Sequence, residues 1–98
     1  MVSIRDIQKL MHDLYYERDS KRGLEKTYIW FVEEVGELGR AILKNDYESI
    51  REELADVFAW LVSLCNLLNI DLEEVILKKY NLVCPKCKSI PCKCNYRE

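Results

Sequence analysis

Apolar residues recur at helical spacing along most of the chain. Ile4, Ile7, Met11, Leu14 and Tyr15 mark one face of a first helix. Ser3 and, three residues on, Asp6 supply an N-cap and a first-turn acid. The polar run Glu17–Gly23 breaks the pattern and predicts a loop. A second amphipathic stretch predicts a helix over about Leu24–Leu43, and Lys44-Asn45-Asp46 predicts a turn. Asp46 caps a third helix that runs to about Leu68. Asp71-Leu72-Glu73-Glu74 has the form of a capping box and opens a short fourth helix ending near Tyr80. Beyond it lies a separate Cys/Lys/Pro tail, Cys84–Glu98.

Composition supports helices. The chain holds three Gly and two Pro, with none between Gly39 and Pro85, which excludes most turn-rich β architectures. At 98 residues, one domain core is expected. The apolar run Ala59–Leu68 is too short to span a bilayer, and Ser63 and Asn66 interrupt it. The N-terminus is charged early and has no apolar signal core, so a cytoplasmic protein without a membrane partner is expected. A net charge of -2 gives no support for binding nucleic acid through bulk charge.

Charge patterning changes the picture most. Glu34 and Glu37 on the second helix, and Glu53 and Asp56 on the third, are two carboxylate pairs spaced i, i+3. On a helical wheel each pair lies on the same edge of its helix's apolar stripe. Two helices packed antiparallel through those stripes carry both pairs to one side of the hairpin. The pairs are symmetric about Asn45, which sets Glu37 level with Glu53 and Glu34 level with Asp56, each roughly 12–17 Å from the turn. Four converging carboxylates repel one another, and a divalent cation would offset that repulsion. An all-oxygen set suits Mg²⁺ or Mn²⁺ rather than Zn²⁺. The alternative is a solvated acidic face balanced by Lys and Arg.

The segment Glu33-Glu34-Val35-Gly36-Glu37-Leu38, followed by Glu53-Leu54-Ala55-Asp56, resembles the paired ExxE and ExxD signature of MazG-like nucleotide pyrophosphohydrolases, in the all-α NTP pyrophosphatase group. The likeness extends over roughly Ile4–Tyr80. It implies that Glu34, Glu37, Glu53 and Asp56 ligate Mg²⁺ and that water attacks between the α and β phosphates of a nucleoside triphosphate. The products would be a nucleoside monophosphate and pyrophosphate, in a role such as nucleotide-pool house-cleaning. Glu33 becomes a candidate second-metal ligand or water-orienting group. Many relatives carry Lys followed four residues later by Asn after the last helix. Here Lys79 is followed by Asn81 and Val83. A related phosphoribosyl-ATP pyrophosphatase activity uses the same chemistry and stays open.

A triphosphate needs further positive charge, and Arg18, Lys21, Arg22 and Lys79 are candidates. A base needs flat apolar walls, for which Trp30 and Trp60 lie one helical turn from the acids. His12 reads as a surface or dimer-contact residue, not a catalyst. Gly36 and Gly39 share a face roughly opposite the acids and predict a second helix-packing surface. A homodimer or homotetramer is therefore expected, each helical-hairpin subunit contributing to a four-helix-bundle-like oligomer.

Four of the five Cys fall in the tail, as Cys84-Pro85-Lys86-Cys87 and Cys92-Lys93-Cys94, while Cys65 reads as a small core residue. The cluster predicts a structural Zn²⁺ site, with disulfides or an unstructured thiol tail as alternatives. Lys86, Lys88, Lys93 and Arg97 make the tail basic. The expected organisation is an all-α catalytic domain over residues 1–81 and a Cys-rich tail over 82–98. The competing function is a non-catalytic helical dimer whose zinc tail binds a partner.

Overall fold

The computed structural model describes residues 1–95, so Arg97 of the basic tail lies outside the described residues. Four helices form in the order α1 (Ile4–Arg22), α2 (Leu24–Leu43), α3 (Tyr47–Leu68) and α4 (Leu72–Lys79), and no strand forms among the described residues. Among the described residues, no single helix is long and apolar enough to cross a membrane.

Local chemistry sets the helix ends. Ser3 and Asp6 form a complete capping box, each side chain accepting from the other's backbone N–H. Asp46 and Asp71 accept from the N–H of Ser49 and Glu74, and so cap α3 and α4. Asn45 (φ 55°) makes the α2–α3 turn in the left-handed region without a glycine, and Asn69 (φ 57°) ends α3 the same way.

One expected loop is not a loop. The polar run from Glu17 continues α1 as helix up to Arg22, and Gly23 alone separates it from α2. Polar residues do not break a helix when side chains partner within it. Lys21 pairs with Glu17 at i, i+4, Arg22 pairs with Asp19 at i, i+3, and the Ser20 hydroxyl donates to the Tyr16 carbonyl. The break is made by Gly23 at φ 92°, ψ 160°, a conformation open essentially only to glycine.

Helix α3 is the spine. It packs on α2 to form the antiparallel hairpin and on α1 along its other side. Val62 is fully buried and clusters with Cys65 and Leu72, with Ile4, Met11, Phe58 and Leu61 against them. Two polar staples lock α1 to the α3–α4 junction. The Gln8 amide donates to Asn66 and to the Ile70 carbonyl and accepts from the Leu72 N–H, with contacts of 2.8–3.0 Å. Arg5 donates to Asp71 at 2.7 Å and pairs with Glu73 at 2.9 Å, holding the Asp71 carboxyl below the usual range.

The outer side of α2 is uncovered. Tyr28, Ile29, Val32 and Leu43 are exposed there, and nothing lies within 4 Å of a Cβ built on Gly36 or Gly39. The Cα radius of gyration is 16.0 Å, against about 13 Å for a compact domain of this length.

Candidate active site

The hairpin brings three carboxylates together. Oxygens of Glu34 on α2 and of Glu53 and Asp56 on α3 lie within 4.8 Å of one another. Each acid sits at the edge of its helix's apolar stripe, so packing the stripes together draws the acids to a common rim. The fold thus holds like charges at close range, and the electrostatics record it. The Glu34 carboxyl is pushed up to about 7, first by the facing Glu53 carboxylate, with which it competes for a proton, then by burial, then by the charges of Glu53, Asp56 and Glu37. Glu53 Oε2 is buried without a hydrogen-bond partner. Three crowded carboxylates, one with a buried, unpartnered oxygen, make a donor set that suits a hard divalent cation.

Glu37 stands outside this trio. It raises Glu34 through its charge, but its carboxylate leans 3.5 Å from the Arg40 guanidinium, one turn toward the α2 C-terminus. Glu34 faces Glu53 as well as Asp56, where symmetry about Asn45 sets it level with Asp56 alone. Glu33 is exposed on α2.

Beside the trio opens a cleft of about 270 Å³ between α1 and α3, lined by Tyr15, Arg18, Arg22, Asp56, Trp60 and Ser63 among others. Asp56 belongs to both, so the acid centre forms part of the cleft wall. Arg22 is fixed rather than waving. Its Nη1 donates to Asp19 Oδ1 at 2.8 Å and to Thr27 Oγ1 at 3.3 Å, and its guanidinium lies 5.0 Å from the Trp60 ring centroid. Trp30 stacks on the Trp60 ring, with centroids 6.3 Å apart at 19°.

The other sequence candidates are dispersed. Lys21 is exposed and paired with Glu17. Lys79 at the end of α4 lies over the Tyr80 ring and does not line the cleft. His12 is exposed and stacks on Tyr16. Cys65 is buried, and burial pushes its thiol up. The four tail sulfurs, Cys84, Cys87, Cys92 and Cys94, lie within 4.8 Å of one another, and no disulfide joins them.

Asp19 and Thr27, the two buried polar residues that hold Arg22, were missed by the sequence reading. The signal was present: Ile4, Gln8, Met11, Tyr15, Asp19 and Arg22 continue one helical face at i, i+3 or i, i+4.

Comparison with known families gives one match. The model of the MazG nucleotide pyrophosphohydrolase domain matches residues 22–88. No curated protein matches the chain.

Proposed function

The chain belongs to the MazG nucleotide pyrophosphohydrolase family, and from that premise we propose that it hydrolyses nucleoside triphosphates to nucleoside monophosphate and pyrophosphate with Mg²⁺ or Mn²⁺. The observation that carries the metal site is the acid trio with its buried, unpartnered Glu53 oxygen. Glu34, Glu53 and Asp56 would hold the ion, and Glu37 would complete the set from one turn along α2. When bound, the ion supplies charge neutralisation at the phosphates and acidifies a water.

The remaining work falls to the chain's own residues. Arg18 and Arg22 line the cleft that Asp56 shares, so both would offer guanidinium donors to the phosphates of a bound substrate. Asp19 and Thr27 keep the Arg22 fork oriented before substrate arrives, which reduces the entropy lost on binding. Trp60, backed by Trp30, offers a flat face to a base. Glu33, exposed on α2 beside Glu34, is the proposed group for orienting the attacking water or holding a second ion. Lys21 and Lys79 would act only through longer-range attraction of the polyphosphate.

The uncovered α2 face belongs to the same reading. Its exposed Tyr28, Ile29 and Val32 flank open glycines, and a second copy of the chain packed there would bury them in a four-helix arrangement. Reduced thiols and a nucleotide substrate suit a cytoplasmic enzyme. Residues 1–81 would form the catalytic domain and 82–98 an appended tail. The test is a panel of ribo- and deoxyribonucleoside triphosphates plus phosphoribosyl-ATP, incubated with Mg²⁺ and resolved chromatographically. Equimolar monophosphate and pyrophosphate support the reading. Release of orthophosphate, or no turnover of any substrate, overturns it. Light scattering at micromolar concentration tests the assembly, and a monomer would remove it.

A further inference from the structure

The catalytic reading leaves the tail unexplained. Residues 84–95 carry four cysteines and three lysines, with no Asp or Glu. The four cysteines are only partly exposed, yet the segment has no buried hydrophobic residue to hold it. A loop this short cannot be kept in one conformation by apolar burial.

Its geometry is nonetheless specific. Cys84 Sγ lies 3.7 Å from Cys94 Sγ, and Cys87 Sγ lies 3.9 Å from Cys92 Sγ. Four sulfurs at about 2.3 Å from a tetrahedral ion stand about 3.8 Å apart along each edge. The observed separations match that edge and are far beyond the roughly 2.05 Å of a disulfide. The backbone is also turned toward the sulfurs. The Lys93 N–H donates to Cys87 Sγ at 3.2 Å and the Cys94 N–H to Cys92 Sγ at 3.3 Å, contacts that favour thiolates. The loop closes through Lys88 N–H to the Cys84 carbonyl at 2.8 Å and Cys84 N–H to the Ser89 carbonyl at 3.0 Å. Closing it places Lys88 at φ 60°, a conformation unfavourable for a long side chain.

We infer that Cys84, Cys87, Cys92 and Cys94 form a closed tetrathiolate zinc site, and that the ion rather than an apolar core holds residues 84–94 folded. Soft thiolates select zinc over the hard ions that suit the acid trio, so the two sites do not compete for one metal. The dianionic centre sits among Lys86, Lys88 and Lys93, which offset its charge. All four coordination positions are filled by protein, which makes the site structural and not catalytic.

The test uses the full chain, purified under reducing conditions without chelator. Zinc and iron are measured by mass spectrometry of the elements, next to the number of reactive thiols. The expected result is one zinc per chain. Removing it with a strong chelator should expose four additional thiols and open tryptic cleavage at Lys86, Lys88 and Lys93. Cys87→Ser and Cys92→Ser should each lose the zinc while keeping the helical circular dichroism, and Glu53→Gln should keep the zinc. A chain that takes up no zinc and titrates all four tail thiols overturns the inference. So does a mass lower by four hydrogens, which would show two disulfides, or iron in place of zinc.

Discussion

The acid trio and the cysteine tail both gather metal-ligating side chains, but the proposed order of cause is reversed between them. In the hairpin the fold comes first. The apolar stripes of α2 and α3, the Asp46 cap and the Asn45 turn bring Glu34, Glu53 and Asp56 together against their mutual repulsion. The cost appears as a Glu34 carboxyl raised to about 7 and an orphaned Glu53 oxygen. In the tail no apolar packing does that work, and the donors themselves converge at the spacing an ion would impose. A site that the fold strains is suited to exchangeable metal and to chemistry. A site that the ion folds is suited to permanence.

The sharpest way to break the comparison is to remove a strained carboxylate. Glu53→Gln or Asp56→Asn should lower pyrophosphohydrolase turnover at least ~100-fold, since one lost ligand costs several kcal/mol of transition-state stabilisation. Glu53→Gln should at the same time raise the melting temperature of the metal-free protein, because one negative charge leaves the crowded trio. A variant that is both inactive and less stable would mean that Glu53 serves packing instead.

Arg22→Met probes how far the hairpin supports itself without metal. It leaves Asp19 buried and uncompensated, which should cost about 3 kcal/mol and lower the melting temperature by about 10 °C or more. It should also raise KM for nucleotide more than it changes kcat. An unchanged thermal midpoint would remove Arg22 from the architecture.

The pH dependence follows from Glu34. Its folded-state carboxyl titrates near 7 and its unfolded one near 4.5, so between those values the native state holds the extra proton. Metal-free protein should therefore lose stability as pH rises from about 4.5 to 7. Glu34→Gln should flatten that slope, and Mg²⁺ should oppose it by taking the proton's place, with apparent affinity falling as pH drops below 7. Thermal melts across pH, with and without Mg²⁺, check this. The smallest effect is expected far from both sites: Ser3→Ala should cost about 1 kcal/mol in denaturant melts and leave activity and zinc content unchanged.

Much of the hairpin was legible in the sequence, because α2 and α3 carry strong 3.6-residue periodicity and their caps and turn use Asp and Asn in their usual roles. Spacing set four acids, Glu34, Glu37, Glu53 and Asp56, on one side of the hairpin, of which three meet. What escaped was governed by polar partnering across distance. The run from Glu17 to Arg22 looked like a loop because its polarity was visible, while the ion pairs that keep it helical depend on which side chains meet. Asp19 sits in a polar run that reads as solvated, yet it is buried and paired with Arg22, which Thr27 also holds. Gln8 bridges to Asn66 and Leu72 across 58 and 64 positions of sequence, and no local pattern announces such a staple. Glu37 was placed by helical symmetry, which carries no information about Arg40 drawing its carboxylate aside.

The hairpin acids are proposed to bind a hard ion through their own geometry. Manganese titration of the full chain, followed by electron paramagnetic resonance of the free ion, tests it most directly in wild type and Glu53→Gln. The account predicts that wild type removes Mn²⁺ from solution at a site Mg²⁺ competes for, that Glu53→Gln does not, and that both variants carry the same zinc. Equal Mn²⁺ binding by wild type and Glu53→Gln would contradict it.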